Sequence, residues 1–283
     1  MKVRHLLAGT ALATTLAFAA APAMATPIDI SSFTGIVTIG FGNFESFTGK
    51  SGLAVGSDNY GIITVNSISD PLNNNLWVPG KDGQFLAGVF SGVTVQSITA
   101  TTSGFKTRAS GGHLDIYMLS ANPNAALGTS GYTGIGCAVD TQCYNGITNV
   151  GGELVLSMDF TPGQAPLSPT TTITSQGTST GVNADGTAHG YLDIVGGTNA
   201  SRFTPDFFDA FGFLNMDMKF QDTFCVNGAT QCGAQVGDWG FLSHDPVKAD
   251  ITAVPEPTSL ALLGAAMLGM VPFLRRRKNK KSA

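Results

Sequence analysis

Leu214-Asn215-Met216-Asp217-Met218-Lys219-Phe220-Gln221 sets an apolar side chain against a polar one at every step. In an extended chain successive side chains leave opposite faces. Leu214, Met216, Met218 and Phe220 therefore share one face, and Asn215, Asp217, Lys219 and Gln221 share the other. A helix would scatter the same residues around its circumference. The segment predicts a strand with one face in a core and one in water.

The same period recurs upstream. Leu114, Ile116 and Met118 alternate with Asp115 and Tyr117, and Leu154, Leu156, Met158 and Phe160 alternate with Val155, Ser157 and Asp159. Shorter candidates are Ile62 to Ile68, Val93 to Thr99, Tyr191 to Val195, Trp239 to Ser243 and Val247 to Thr252. Between them lie turn signals: Asp82-Gly83, Asp185-Gly186, Gly111-Gly112, Gly151-Gly152 and Gly196-Gly197. The 36 glycines and a charged fraction of only 12% disfavour long helices. Thr204 to Phe211 is the one stretch suited to a helical turn, with Thr204 as cap and Pro205 at the first helical position. Pro162 to Gly181 is rich in Ser, Thr and Pro and reads as a long loop. Nine or so short strands predict an all-β fold, a β-sandwich of jelly-roll-like type.

The two ends differ from this body. Lys2, Arg4 and His5 precede an apolar stretch from Leu6 to Ala21, and Ala23-Met24-Ala25 fits the small-x-small cleavage rule. Residues 1–25 read as a secretory signal peptide, with Thr26 as the mature start. At the other end Val254-Pro255-Glu256-Pro257 precedes an apolar run from Leu260 to Leu274, closed by Arg275-Arg276-Arg277-Lys278, Lys280 and Lys281. As a helix those fifteen residues span roughly 22 Å. A hydrocarbon core is about 30 Å thick, so the segment is short for a permanent anchor. The basic cluster resists translocation. Pro255 and Pro257 hold the preceding strip extended and accessible. A plain C-terminal anchor is the competing reading. The division is then residues 1–25, an exported domain 26–253, and a tail 254–283.

Charge is unevenly shared among these parts. The domain 26–253 holds seven of the 15 Lys and Arg but eighteen of the 19 acidic residues. Such a domain does not bind nucleic acid through counterion release, and it is suited to attracting divalent cations. Structural calcium is an unlocated option, and no other cofactor is expected. The four cysteines suit an oxidising compartment. Cys137–Cys143 and Cys225–Cys232 are the preferred pairs, because each closes a short loop, worth roughly 2 kcal/mol in a chain-entropy treatment. A zinc site is the weaker alternative at these spacings.

The order of tripeptide, short apolar segment and basic terminus resembles the PEP-CTERM sorting signal of Gram-negative, matrix-producing bacteria. The resemblance implies that an exosortase-type membrane peptidase recognises Pro255, Glu256 and Pro257 and removes the segment behind them. The protein would be held briefly at the inner membrane and then released to the cell surface or matrix. Asp58-Asn59-Tyr60-Gly61-Ile62, the Trp77 region, Gly83 to Phe90, and Gly190 to Gly197 together resemble the body of flocculation-associated PEP-CTERM proteins. That likeness implies a structural or adhesive role with extracellular polysaccharide, and it transfers no catalytic residue.

Chemistry is otherwise sparse. Gly177-Thr178-Ser179-Thr180-Gly181 has the nucleophile-elbow spacing but polar flanks. His113, His189 and His244 lack helical metal-site spacing. Asn183, Asp185 and Gly186 resemble part of an EF-hand loop whose first and twelfth positions, Gly181 and Leu192, cannot ligate through side chains. Asp206 and Asp209 are the carboxylates that a secreted polysaccharide-active enzyme would use. Trp77, Trp239, Tyr60 and Phe85 either stack on sugar rings, in a lectin-like module, or fill a core. A non-enzymatic exported protein is the expectation.

Overall fold

The computed structural model describes residues 33–48, 53–123, 152–163, 168–178, 185–208, 216–229 and 239–251. Ten strands occur among them: β1 (Gly35–Phe47), β2 (Asp58–Ser69), β3 (Asn75–Trp77), β4 (Phe85–Thr101), β5 (Gly104–Leu119), β6 (Glu153–Phe160), β7 (Thr171–Gly177), β8 (Asp185–Gly196), β9 (Met218–Val226) and β10 (Phe241–Ile251). Every pairing is antiparallel. The all-β expectation holds, but the two-sheet jelly-roll does not describe the strand order.

The strands follow one another as neighbours around a single sheet, from β1 and β2 through β4, β5, β6, β8, β9 and β10. β1 then pairs with both β10 and β2: Val37 faces Ala249 on one side, and Phe44 faces Ile62 on the other. The sheet therefore closes on itself as an up-and-down barrel. Closure satisfies the edge strands that an open sheet would expose. β6 and β7 share one position between β5 and β8. β6 pairs with the C-terminal half of β5, and β7 pairs with its N-terminal half from Phe105 to Ser110. The segment from Pro162 to Gly181 is thus not one long loop. Its Thr-rich end is a strand, because Thr171 and Thr172 are buried and Ile173 packs on the core. β-branched residues suit such a half-buried pleated surface.

Local sequence explains the bends. Gly111 and Gly112 both have positive φ, at 70° and 108°, inside β5 rather than between strands. A side chain at Gly112 would run into Phe160 and Val93. Pro246 stands in β10 opposite Gly40. It has no amide hydrogen to offer, and the β10–β9 ladder skips from His244 to Val247 at this point. A bulge at Gly40/Phe41 of β1 lies alongside. The expected Trp239–Ser243 and Val247–Thr252 strands are consequently one strand with an internal gap.

Inward side chains form the main core, including Phe41, Ile63, Leu114, Met158, Leu192 and Phe220. A second cluster lies on the outer face of β2 and β4, where Tyr60, Ile62, Ala87 and Leu119 surround Trp239. β2 is therefore buried on both faces, which removes the simple alternation expected there. One barrel end is plugged by the chain after β8. Asn199 donates its N–H to the Val155 carbonyl at 2.9 Å, Ala200–Arg202 makes a 3-10 turn, and buried Phe203 bridges to Ile251. Of the stretch Thr204 to Phe211, where a helical turn is expected, residues 205–208 form ordinary turns and 209–211 lie outside the described residues. Asp217 fixes that loop: its carboxylate accepts from the N–H of Ile194 at 2.8 Å and of Asp206 at 2.5 Å.

Candidate functional site

The barrel interior holds two chambers that share part of their walls. A smaller cavity of about 60 Å³ lies toward the plug and is almost wholly apolar. A larger one of about 110 Å³ lies toward the opposite end. Phe41, Ile63, Leu114 and Leu192 border both. Eight-stranded barrels have just enough width to fill with side chains or to hold one small ligand.

The larger chamber combines an apolar floor with a band of polar side chains. Glu45 is its most constrained member. It stands on β1 and is 7% exposed. Ser243 Oγ donates to one of its carboxylate oxygens at 2.6 Å, and Asn59 Nδ2 donates to the other at 2.6 Å. Burial pushes the Glu45 carboxyl above its usual range, and these two hydrogen bonds pull it back only in part. Asn43 and Asp222 are also buried and face the same chamber. So do Thr107 and Ser175, whose hydroxyls bond each other across β5 and β7. Burying this many polar groups in a barrel costs free energy unless each is satisfied. The chamber ends in a partly exposed aromatic rim, where Phe241 packs edge-on to Phe47 with ring centroids 5.6 Å apart.

A second cluster lies on the outer face. His113 sits between two carboxylates: Nδ1 is 2.6 Å from Asp159 and Nε2 is 3.1 Å from Asp115. Ser157 Oγ is 3.2 Å from the same Nε2. The order Ser157, His113, Asp159 has the outline of a hydrolytic triad, but the chemistry differs. Burial alone would lower the imidazole, yet the hydrogen bond to Asp159 and the charge of Asp115 outweigh it and raise His113 above its usual value. Nε2 is shared between Ser157 and a second carboxylate, Asp115, whereas a triad leaves that nitrogen to the nucleophile's proton alone. Nearby, Asp193 is raised to about 6, first by burial and then by Asp217, Asp159 and Asp206. No group of three metal-ligating side chains converges among the described residues.

The residues singled out from sequence fall as follows. Trp77 and Trp239 are 1% and 3% exposed and Tyr60 is fully buried, so these rings fill cores rather than present a sugar platform. Phe85 packs against the outer cluster. Asp206 lies on the exposed loop with φ 54°, while Asp209 lies outside the described residues. Gly177 ends β7 and pairs with Gly186 of β8, and the motif's Ser179, Thr180 and Gly181 lie outside the described residues. Asn183 lies outside them too, and Asp185-Gly186 begins β8. His189 is exposed, bonded to the Thr174 hydroxyl at 2.8 Å, and lowered by burial and by Lys219. His244 is exposed on β10. Cys225 lies on β9, and Cys137, Cys143 and Cys232 lie outside the described residues. The pairings Cys137–Cys143 and Cys225–Cys232 both involve such residues. Outside them too are the cleavage residues Ala23, Ala25 and Thr26, and the tail with Val254, Pro255, Glu256 and Pro257. No described helix is long and apolar enough to cross a membrane.

The inward polar band escaped sequence reasoning. Its residues are spread over β1, β2, β5, β7 and β9, and the one available signal was the odd presence of Asn43 and Glu45 at inward positions of a Gly-rich strand.

Residues 253–278 match the PEP-CTERM protein-sorting motif. The chain carries a PEP-CTERM sorting signal. The PEP-CTERM motif implies export through a membrane-associated sorting system and processing by an exosortase. It begins only two residues after β10 ends at Ile251. No curated protein and no solved structure matches the chain.

Proposed function

We propose that this exosortase-sorted protein is a non-catalytic component of the cell surface or extracellular matrix, with a structural or adhesive role in polysaccharide-dependent aggregation. The observation that carries the proposal is the PEP-CTERM motif joined directly to the last barrel strand. Export delivers a compact acidic barrel whose closed sheet offers few edges for uncontrolled strand pairing. β10 runs from Phe241 at the aromatic rim to Ile251 at the plugged end, so the sorting signal emerges from the plugged end. A barrel held through this tail presents its rim away from the point of attachment. Weak contacts from many copies add up when the copies are displayed together.

Deleting residues from Pro255 onward is the test. Loss of surface display and of cell aggregation is expected. Normal aggregation with the barrel retained inside the cell would reject the role. A polysaccharide-active enzyme is the competing class, resting on Asp206. Purified full-length protein incubated with matrix polysaccharide is expected to release no reducing ends, and release abolished by Asp206→Asn would favour the enzyme.

A further inference from the structure

The large apolar side chains most exposed among the described residues are Ile36, Val55, Leu72, Val78 and Val195. Single exposed apolar residues are ordinary. Three of these, however, lie where β1, β2 and β3 reach the plugged end. Ser69 at the end of β2 pairs with Thr38, so the register carries Ile36 toward the turn that joins β2 to β3. Leu72 stands on that turn, 81% exposed, and Val78 directly follows β3. The turn is locked. One Asp70 carboxylate oxygen accepts from the N–H of Leu72 at 2.9 Å and of Asn74 at 2.8 Å, and the other accepts from Asn74 Nδ2 at 2.8 Å. Leu72 is therefore held outward. Val55 lies at the opposite end, on the loop between β1 and β2, and Val195 lies on the outer wall of β8.

The same end carries the sorting signal. Eight residues, 252–259, separate Ile251 from the apolar run that starts at Leu260. Fully extended, such a linker reaches about 28 Å. β1, thirteen residues long, extends about 43 Å and stands about 33 Å high at the tilt usual in barrels. A barrel tethered through this linker cannot turn its rim to the membrane. We propose that, while the tail is held in the inner membrane, the plugged end docks on the bilayer, with Leu72, Ile36 and Val78 entering the apolar edge of the headgroup layer. The tether makes docking intramolecular, so a weak apolar contact suffices. Charge does not drive it, because Lys81 and Arg202 at this end are matched by Asp70, Asp82 and Asp250. Docking holds the strip from Pro255 to Pro257 at the membrane surface, where an exosortase acts. The inference rests on the sorting signal and not on the adhesive role.

The test uses the purified full-length chain reconstituted into phosphatidylcholine vesicles, with and without brominated acyl chains. Leu72→Trp reports from the docking turn and Val55→Trp from the rim, while the native Trp77 and Trp239 are buried and set the background. Both sites are exposed, so both variants are expected to melt with the parent. Interfacial side chains sit about 5–10 Å into the boundary between headgroups and acyl chains, so the emission added by Leu72→Trp is expected to shift to the blue and to fall by at least about half in brominated vesicles. The emission added by Val55→Trp is expected to stay solvent-like and unquenched. Including phosphatidylglycerol is expected to leave the quenching no stronger. Solvent-like emission from Leu72→Trp in vesicles, or equal quenching at the two sites, would overturn the proposal. So would quenching that grows with phosphatidylglycerol, which would assign the contact to charge. A blue-shifted emission that bromine leaves untouched would mean that a second copy of the chain covers the patch, and would overturn it as well. A parent chain that does not float with the vesicles would overturn the sorting-signal reading and the docking with it.

Discussion

Glu45 is the side chain on which burial and hydrogen bonding compete most directly. Its carboxyl is raised from an ordinary value of 4.5 because the lumen disfavours the charged form. The folded state therefore holds that proton more tightly than the unfolded chain. The contribution to stability is fully present below about pH 4.5 and is lost as pH rises through the higher folded value. Glu45→Gln keeps the shape and removes the titration. Urea midpoints measured from pH 4 to 8 are expected to fall less steeply with rising pH in the variant than in the parent protein. A parallel decline in both would contradict the assignment. Asp193 follows the same sign on the outer surface. Raised to about 6 by burial and then by Asp217, it favours the folded state below its ordinary value of 3.8 and loses that contribution as pH climbs through about 6. Asp193→Asn is expected to be more stable than the parent at pH 7.5, with the advantage gone at pH 4. An unchanged difference across that range would refute the shift. Sequence showed Asp193 only as a polar strand residue, because its carboxylate neighbours come from other elements.

Elements differ in how clearly they announced themselves. β5 and β9 were legible because Leu114, Ile116, Met118 and then Met218 and Phe220 point inward while their neighbours face water. β1 and β7 were not. β1 is interrupted by Gly40 and Gly42, and its inward face mixes Phe41 with Asn43 and Glu45. β7 is mostly threonine, serine and glutamine, so nothing separates it from a loop until β5 and β8 hydrogen-bond to it. β2 was legible from Ile62 to Ile68 but its two-sided burial was not, since Tyr60 and Ile62 are buried outside the barrel and Ile63 and Val65 inside it. The outer cluster yields the prediction for this scale. Trp239 packs near Tyr60 and Phe44, each with ring centroids 6.4 Å away. Trp239→Ala is expected to cost about 3–5 kcal/mol, the usual range for truncating a buried large aromatic, read as a shift in urea midpoint. A loss under 1 kcal/mol would mean that the ring does not pack as described.

For the whole molecule, closure is the governing fact. The first and last strands meet along eleven residue pairs from Gly35–Ile251 to Glu45–Phe241. Neither strand is dispensable, and the sorting motif begins only beyond them at residue 253. Removing residues 254–283 is expected to leave a cooperative unfolding transition within about 0.5 kcal/mol of the parent. Removing residues from Phe241 onward is expected to abolish that transition, because β1 and β9 then lose their shared partner. An intact transition after the larger deletion would mean that β10 does not close the sheet.

Local sequence by itself determined the strand-rich body, the acidic balance and the address at the C-terminus. Side-chain period, composition and an ordered linear motif are properties of neighbouring residues and survive without a fold. Tertiary structure alone decided that the sheet closes into one barrel, that the tryptophans lie inside packed clusters, and that Glu45, Asn59 and Asp222 face one chamber. Each of those depends on hydrogen bonds between residues as distant as 35 and 251. Alternation states which way a side chain points from its own strand, and only strand pairing states what it meets there.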